Sequence, residues 1–468
     1  MQEPGLAPEP YVIPLRSGRG SLAFHAGGLR HPGGFGRERF TAYADVTHVA
    51  VGARALRIGT RHGVWPLPRA WFREPQQADG FVRTLYDRIA QEPTGAVQLA
   101  RMAEIDQLLA RRSGSWATRA LAIACVAIFA LQAWLGPVVH HAGFLNTRLV
   151  ASGEPWRLVT ANLLHFGSVH LALNVLGLLA IGAMVERAIG SARTLFVMGV
   201  AALGSTLAGV AMEYDALVGA SGVVAGLVGA LVFLEYRVPE RLPASWRIPR
   251  GLLVTALAID GVLGMIVPII AGAAHVGGFA AGLVASALCI GPGLRREPLA
   301  PSLRVAVALV LAVAGASVLS GARLLAGGRA WEGHASRLLE LDDAPVMILN
   351  DAAWLIATGR APTRKALTEA RELAERAVAG TERMDPNFLD TLAEVQFQTG
   401  DVDEALGTID EAIALAPGVA YFEEQRRRFT GERAAQDRPE PPEPFWVEPE
   451  RPELAPDDEL EERRATEP

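Results

Sequence analysis

Between residues 117 and 325 the chain breaks into seven apolar stretches, at about 117–136, 169–187, 192–212, 217–236, 251–271, 274–292 and 303–325. Each is close to the roughly twenty residues that a helix needs to cross a hydrocarbon layer about 30 Å thick. No water competes for backbone hydrogen bonds inside a bilayer, so such stretches must satisfy their N–H and C=O groups within their own helices. The expectation is a mainly α protein, a polytopic membrane helix bundle. Half of the residues are apolar although a fifth are charged, and both hold only because the charge is segregated to the two ends.

At 468 residues there is room for about three domains. Residues 1–95 read as a soluble β-rich module, 96–116 as a helical linker, 117–292 as a six-span core and 293–328 as a seventh span with its flanks. Helical repeats over 329–428 and a disordered Pro/Glu-rich tail over 429–468 complete the layout. In the first module, weak alternation broken by Gly27-Gly28, Gly33-Gly34 and Gly63 is followed by a helix that Asp79 can cap, with Phe81, Leu85 and Ile89 on one face. This predicts a small β-barrel closed by a helix, and its layout resembles a pleckstrin-homology-like domain. That resemblance implies a lipid or protein ligand; a β module with no ligand of its own is the alternative.

Arg111, Arg112 and Arg119 precede the first span, and Arg187, Arg193, Arg237, Arg241, Arg247, Arg250, Arg295 and Arg296 follow the second, fourth and sixth. The loops after the third and fifth carry no arginine. The positive-inside rule then puts the N-terminus in the cytoplasm, as in a bacterial inner-membrane protein. The first residues lack a charged segment followed by an apolar one, so no cleavable signal peptide is expected. Cys125 and Cys289 both fall in apolar stretches and read as small core residues, not as a disulfide or metal pair. No metal or organic cofactor is implied, and no basic face suggests nucleic acid.

Polar residues within the apolar stretches carry the functional signal, because an ionisable group at membrane depth is costly to keep. His165 leads into the second stretch, which holds His170, Asn174, Gly182 and Glu186, after a loop with Trp156 and Arg157; the fourth opens on Gly219-Ala220-Ser221-Gly222; the sixth opens on His275, Gly278 and Gly282. In the predicted topology all these span starts lie on one extracytoplasmic side. A serine hydroxyl needs a base to become a nucleophile, and imidazole has the pKa for that task near neutrality. His275 is the histidine in the later spans that can serve Ser221. His170 and Asn174, four apart on one helix face, can both donate to a developing oxyanion, as can the backbone at a helix start near Ser221. Glycines beside both residues allow their helices to approach closely. Taken singly, each signal has a plainer reading: Gly-Ala-Ser-Gly and Gly278-xxx-Gly282 as packing notches, Trp156 as an interfacial anchor, Glu186 as the exit of a span.

Together, Trp156-Arg157, His165, His170-xxx-Asn174, Gly182-xxx-Glu186, Gly-x-Ser221-Gly and His275-xx-Gly278-xxx-Gly282 resemble the rhomboid intramembrane serine proteases over about 117–292. The resemblance implies a six-helix core and a Ser221–His275 dyad with no acidic third member. It also implies an oxyanion site from His170, Asn174 and the Ser221 backbone, and cleavage of transmembrane protein substrates near the outer membrane face. Many members carry a tyrosine four residues after the serine, packed on the histidine, where this chain has Ala225. Asp260, alone in the fifth stretch, reads as half of a buried pairing and not as a catalytic group.

Ala370 and Ala377 recur thirty-five residues later as Ala405 and Ala412, a pattern that resembles tetratricopeptide repeats and implies a protein-binding surface. Two copies are few for a free-standing array, so a partner or degenerate copies must help. The leading functional expectation is a serine endopeptidase acting within the membrane. The alternative is a catalytically weak rhomboid-like scaffold that binds membrane clients and recruits partners through its repeats. A seven-span transporter or receptor ranks third, for want of a polar path.

Overall fold

A computed structural model describes residues 10–440 apart from 17, 34–36, 111–114, 250, 253–254, 257–258, 261–270, 292, 295–296 and 360. The chain divides into two units, Met1–Ala322 and Arg323–Pro468. The first begins with two antiparallel sheets. One has the order β1 (Tyr11–Pro14), β2 (Ser21–His25), β3 (Gly28–Pro32) and β4 (Glu38–Ala42); the other has β5 (Val46–Val51), β6 (Ala55–Thr60) and β7 (Gly63–Pro68). Helix α1 (Pro75–Gln91) lays Phe81, Leu85 and Ile89 on a core that includes Leu22, Phe24, Leu56 and Ile58. It starts before Asp79, because Pro75 suits a first helical position and Glu74 forms a capping box with Gln77. Asp79 instead accepts a 2.8 Å hydrogen bond from Arg69. Helix α2 (Gly95–Ala110) is tied to the sheets by Gln98, whose amide donates to Tyr43 O and Val46 O at 2.6 and 2.8 Å.

The apolar region is mostly helical where it is described, with connecting loops that include an antiparallel bridge between Leu145 and Leu217. Helix α3 (Trp116–Leu135) leads into three short helices, α4 (Pro137–Gly143), α5 (Thr147–Ala151) and α6 (Arg157–Thr160). Then follow α7 (Ser168–Ile189, with a π-helical turn at Leu178–Gly182), α8 (Ser191–Ala211), α9 (Ser221–Arg237), α10 (Gly272–Cys289) and α11 (Pro301–Leu325). Among the described residues, five helices are long and apolar enough to cross a membrane: α3, α7, α8, α10 and α11. The protein is therefore a multi-pass membrane protein. At 17 residues α9 is shorter, and most of the fifth expected span, with Arg111, Arg112, Arg250, Arg295 and Arg296, lies outside the described residues.

Two surfaces show how this bundle sorts its side chains. Leu178, Val185, Val197, Leu227, Leu231 and Ala285 fill its interior together with Cys125. Ile123, Trp134, Leu173, Leu288 and Leu309 stand exposed on the outside, which suits contact with lipid and not with water. Both cysteines are free thiols.

The second unit consists of α12 (Arg329–Leu339), α13 (Val346–Thr358), α14 (Arg364–Gly380), α15 (Pro386–Thr399), α16 (Val402–Leu415) and α17 (Ala420–Phe429). Ala370, Ala377, Ala405 and Ala412 are fully buried, as small residues are where helices cross closely. Thr363 caps α14 by accepting from Ala366 N at 3.1 Å, and Gly400, at φ +93°, ends α15 in the left-handed region. Asp390 anchors α17 by accepting from Tyr421 at 2.8 Å and Gln425 at 2.9 Å. The path continues to residue 440, with Arg438 donating to Glu394 at 2.8 Å; the remainder of the tail lies outside the described residues.

Candidate active site

Ser221 is the first residue of α9, so its backbone N–H belongs to the end of a helix where no intrahelical acceptor exists. His275 lies in the first turn of α10, and its Nε2 is 2.8 Å from Ser221 Oγ across fifty-four residues of sequence. Glycines permit the approach. A Cβ on Gly278 would collide with Gly222 O and stand 2.8 Å from Gly222 C. One on Gly282 would collide with Gly226 O, and one on Gly222 with the Ser205 side chain. Backbone therefore meets backbone along the α9–α10 seam, and the two reactive side chains at its end come within hydrogen-bond reach.

Gly219 bends the chain into this helix start at φ +119°, a conformation that side chains resist. Its bare Cα also faces His170: a Cβ there would lie 2.6 Å from His170 Cε1 and 3.8 Å from Asn174 Nδ2. His170 and Asn174 thus border the serine turn from α7. Asn174 is buried and donates one amide hydrogen to His170 O at 2.9 Å. His165 is buried beside His170 with ring centroids 5.1 Å apart, and its backbone N–H and C=O each pair with the Gln132 side chain at 3.2 Å.

Other residues singled out in the sequence lie away from this cluster. Arg157 is fully buried and donates to His141 O and Phe144 O at 2.8 Å, while its Nε bonds Glu154 at 2.7 Å. Trp156 Nε1 donates to Ala142 O at 3.2 Å and Thr160 to Gly143 O at 2.8 Å. These contacts fold the segment between the first two spans onto itself. Glu154, which sequence reading passed over, supplies the carboxylate that neutralises the buried guanidinium.

Glu186 does more than mark the end of a span. It is fully buried, and its carboxylate accepts from Ala117 N at 3.0 Å, Thr118 N at 2.9 Å, and the hydroxyls of Thr118 and Ser191 at 2.6 Å each. One carboxylate so caps the N-terminus of α3 and ties in the start of α8, where negative charge also meets the positive helix end. Gly182, one turn earlier, gives Thr118 room: a Cβ there would stand 2.7 Å from Thr118 Cγ2.

Asp260 departs most from expectation. Its Oδ1 and Oδ2 lie 2.8 and 3.0 Å from His275 Nδ1, so it stands on the far side of the ring from Ser221. The sequence signal for it was a lone acid in an apolar stretch, which announces a partner without saying which.

Comparison with known proteins bears on this bundle. A Rhomboid domain model matches residues 152–292. Rhomboid protease GluP of Bacillus subtilis (strain 168) is 34% identical over 145 residues, covering 31% of this chain and 28% of GluP. The putative rhomboid protease YdcA of the same organism is 34% identical over 149 residues, 31% of this chain and 73% of YdcA. Rhomboid protease GlpG of Haemophilus influenzae is 31% identical over 138 residues, 28% of this chain and 68% of GlpG. The chain spans little more than a quarter of GluP's length. The family match spans the helices that carry Ser221 and His275, and identity of 34% and 31% over more than two thirds of YdcA and of this GlpG shows that the chain belongs to the rhomboid family.

Proposed function

We propose that this protein is an intramembrane serine endopeptidase that cleaves transmembrane proteins near the extracytoplasmic membrane face. The observation that carries the proposal is the 2.8 Å contact between Ser221 Oγ and His275 Nε2, at the ends of two apolar helices. In this reading Nε2 takes the hydroxyl proton as Oγ attacks the scissile carbonyl carbon. The oxyanion forms against the Ser221 N–H and the α9 N-terminus, with His170 and Asn174 alongside as further donors. The proton passes from Nε2 to the leaving amine, the peptide C–N bond breaks and an ester to Ser221 remains. Water, deprotonated by His275, then releases the acid product and restores Ser221.

The surrounding motif residues serve geometry: Gly219, Gly222, Gly278 and Gly282 close the seam, while Trp156, Arg157, His165, Gly182 and Glu186 hold the helices and loops that flank it. A substrate must present an extended segment to this site, so a single-span protein with small or helix-breaking residues near its outer end fits best. The N-terminal sheets, as a pleckstrin-homology-like lipid or protein sensor, and the C-terminal helices, as tetratricopeptide-like repeats gathering clients, would add regulation and substrate choice. The arginine pattern favours a bacterial inner membrane with a cytoplasmic N-terminus.

The test is cleavage of a generic single-span substrate by purified protein in detergent. Wild type should cut, and Ser221→Ala and His275→Ala should each lose at least about 10³-fold in rate. Undiminished cleavage by either variant refutes the assignment. A fluorophosphonate probe separates the scaffold reading, since a protein without a competent serine does not label at Ser221.

A further inference from the structure

We infer that Asp260 is a positioning residue for His275, which extends the serine–histidine pair to a three-membered hydrogen-bonded array; this inference rests on the proposed protease reading. Asp260 Oδ1 lies 2.8 Å and Oδ2 3.0 Å from His275 Nδ1, and the other ring nitrogen faces Ser221 Oγ at 2.8 Å. The three groups come from separate parts of the bundle: the 251–260 stretch, the start of α10 and the start of α9.

A carboxylate only accepts hydrogen bonds, so Nδ1 must carry the proton that lies between it and Asp260. That fixes the tautomer. The lone pair is then on Nε2, where Ser221 can give up its proton, and the ring cannot present an N–H to the hydroxyl in its resting state. Asp260 also fixes the ring's rotation, because both of its oxygens reach the same nitrogen. When the ring becomes cationic during attack, the adjacent anion stabilises it.

Nothing on α9 takes this role. Ala225 follows Ser221 by one turn and offers only a methyl group to that face of the helix. His170, another ionisable neighbour of His275 among the described residues, lies on α7 with Gly219 against its ring. A carboxylate at membrane depth is also costly without a partner, and the partner it has is the base. A purely structural acid would gain as much from a backbone or hydroxyl donor; pairing with the nitrogen opposite the reacting one adds a consequence for chemistry.

The step asks nothing of Asp260 but charge and direction: the proton stays on Nδ1 throughout, and only the Ser221 proton moves, to Nε2 and then to the leaving amine. Exchanging the acid of a Ser-His-Asp triad for its amide lowers kcat by about 10⁴-fold. Here, in a partly exposed site, a loss of about 10²–10⁴-fold in kcat is expected for Asp260→Asn, with KM changed less than about threefold. Asp260→Glu, which keeps the carboxylate, should regain at least about tenfold over Asn.

Two measurements test this with the full-length protein. Kinetics on a single-span substrate give the split: wild-type kcat in Asp260→Asn, or a loss that falls on KM alone or that Glu does not relieve, overturns the inference. Nitrogen-15 spectra of histidine-labelled protein need no turnover. The resonance lost in His275→Ala should show Nδ1 protonated in wild type, with a downfield proton that disappears in Asp260→Asn. Protonation on Nε2 instead overturns the inference even if the protein cleaves. A protein that cleaves nothing but shows the Nδ1 proton keeps the positioning geometry and refutes only the protease reading.

Discussion

Gly278 offers the sharpest link between packing and chemistry. It sits one turn beyond His275 on α10, and a Cβ there would collide with Gly222 O and stand 2.8 Å from Gly222 C and 3.0 Å from Gly222 Cα. All three atoms are backbone and cannot swing aside, so Gly278→Ala must part α9 from α10. Restoring ordinary contact with those carbons takes a shift on the order of 0.5–1 Å. His275 rides on the moving helix, so its 2.8 Å contact with Ser221 stretches to roughly 3.5 Å, past useful hydrogen-bond range. A misplacement of about 1 Å at a reacting pair can cost about 10²-fold, and kcat/KM should fall by at least that factor. Overpacking should cost about 1–3 kcal/mol, or roughly 2–12 °C in Tm for a domain of this size. Gly315 on α11 is the control. It is exposed with nothing within 4 Å of a Cβ, so Gly315→Ala should leave both quantities alone. The assay is substrate cleavage in detergent with a parallel thermal melt. Activity of Gly278→Ala within threefold of wild type, or an equal loss in Gly315→Ala, refutes the idea that this seam sets the serine–histidine distance.

The buried Glu186 should matter for stability more than for chemistry. Glu186→Ala strands two backbone and two hydroxyl donors, a loss of about 3–5 kcal/mol once partial relaxation is allowed, whereas Glu186→Gln keeps an acceptor and should lose about 1–2 kcal/mol. Thermal melts should rank wild type above Gln and Gln above Ala; an Ala variant as stable as wild type removes Glu186 as the cap. In the N-terminal module, burial and secondarily Arg247 push the buried His48 from 6.5 down to about 4. The unfolded chain takes up a proton there before the folded one does. The contribution is therefore whole above pH 6.5 and lost as pH falls toward 4, about 3 kcal/mol in all. Protection factors of the β5–β7 amides, corrected for the intrinsic exchange rate at each pH, should fall as pH drops through that window, and protection independent of pH contradicts the assignment. The variants of Ser221, His275 and Asp260 described above complete the set.

Properties that one helix owns can be read from the sequence. Seven apolar stretches mark a membrane bundle, because hydropathy and length belong to a segment whatever it packs against. Five of them appear as long apolar helices among the described residues. Likeness to the rhomboid family was legible for a related reason: its motif residues keep their spacing within single helices. Asp79 is a good cap in general, yet α1 begins before it, where Glu74 pairs with Gln77.

Partnerships between distant segments came only from the tertiary structure. Glycine spacing on α10 announces a notch, yet that Gly278 meets Gly222 and Gly282 meets Gly226 depends on the register and crossing of two helices. Glu186 could be seen as an acid near a span end, but not as the cap of a helix that starts some seventy residues earlier. Arg157 carried no hint of Glu154 and the two carbonyls that hold it. Asp260 was visible as a lone charge and read as a pairing without chemistry, whereas in the fold it faces the nitrogen opposite Ser221. The physical reason is common to all four. A sequence specifies which groups need partners, because burial makes unpaired charge and crowded backbone costly, but the geometry of packing decides which partner each one meets.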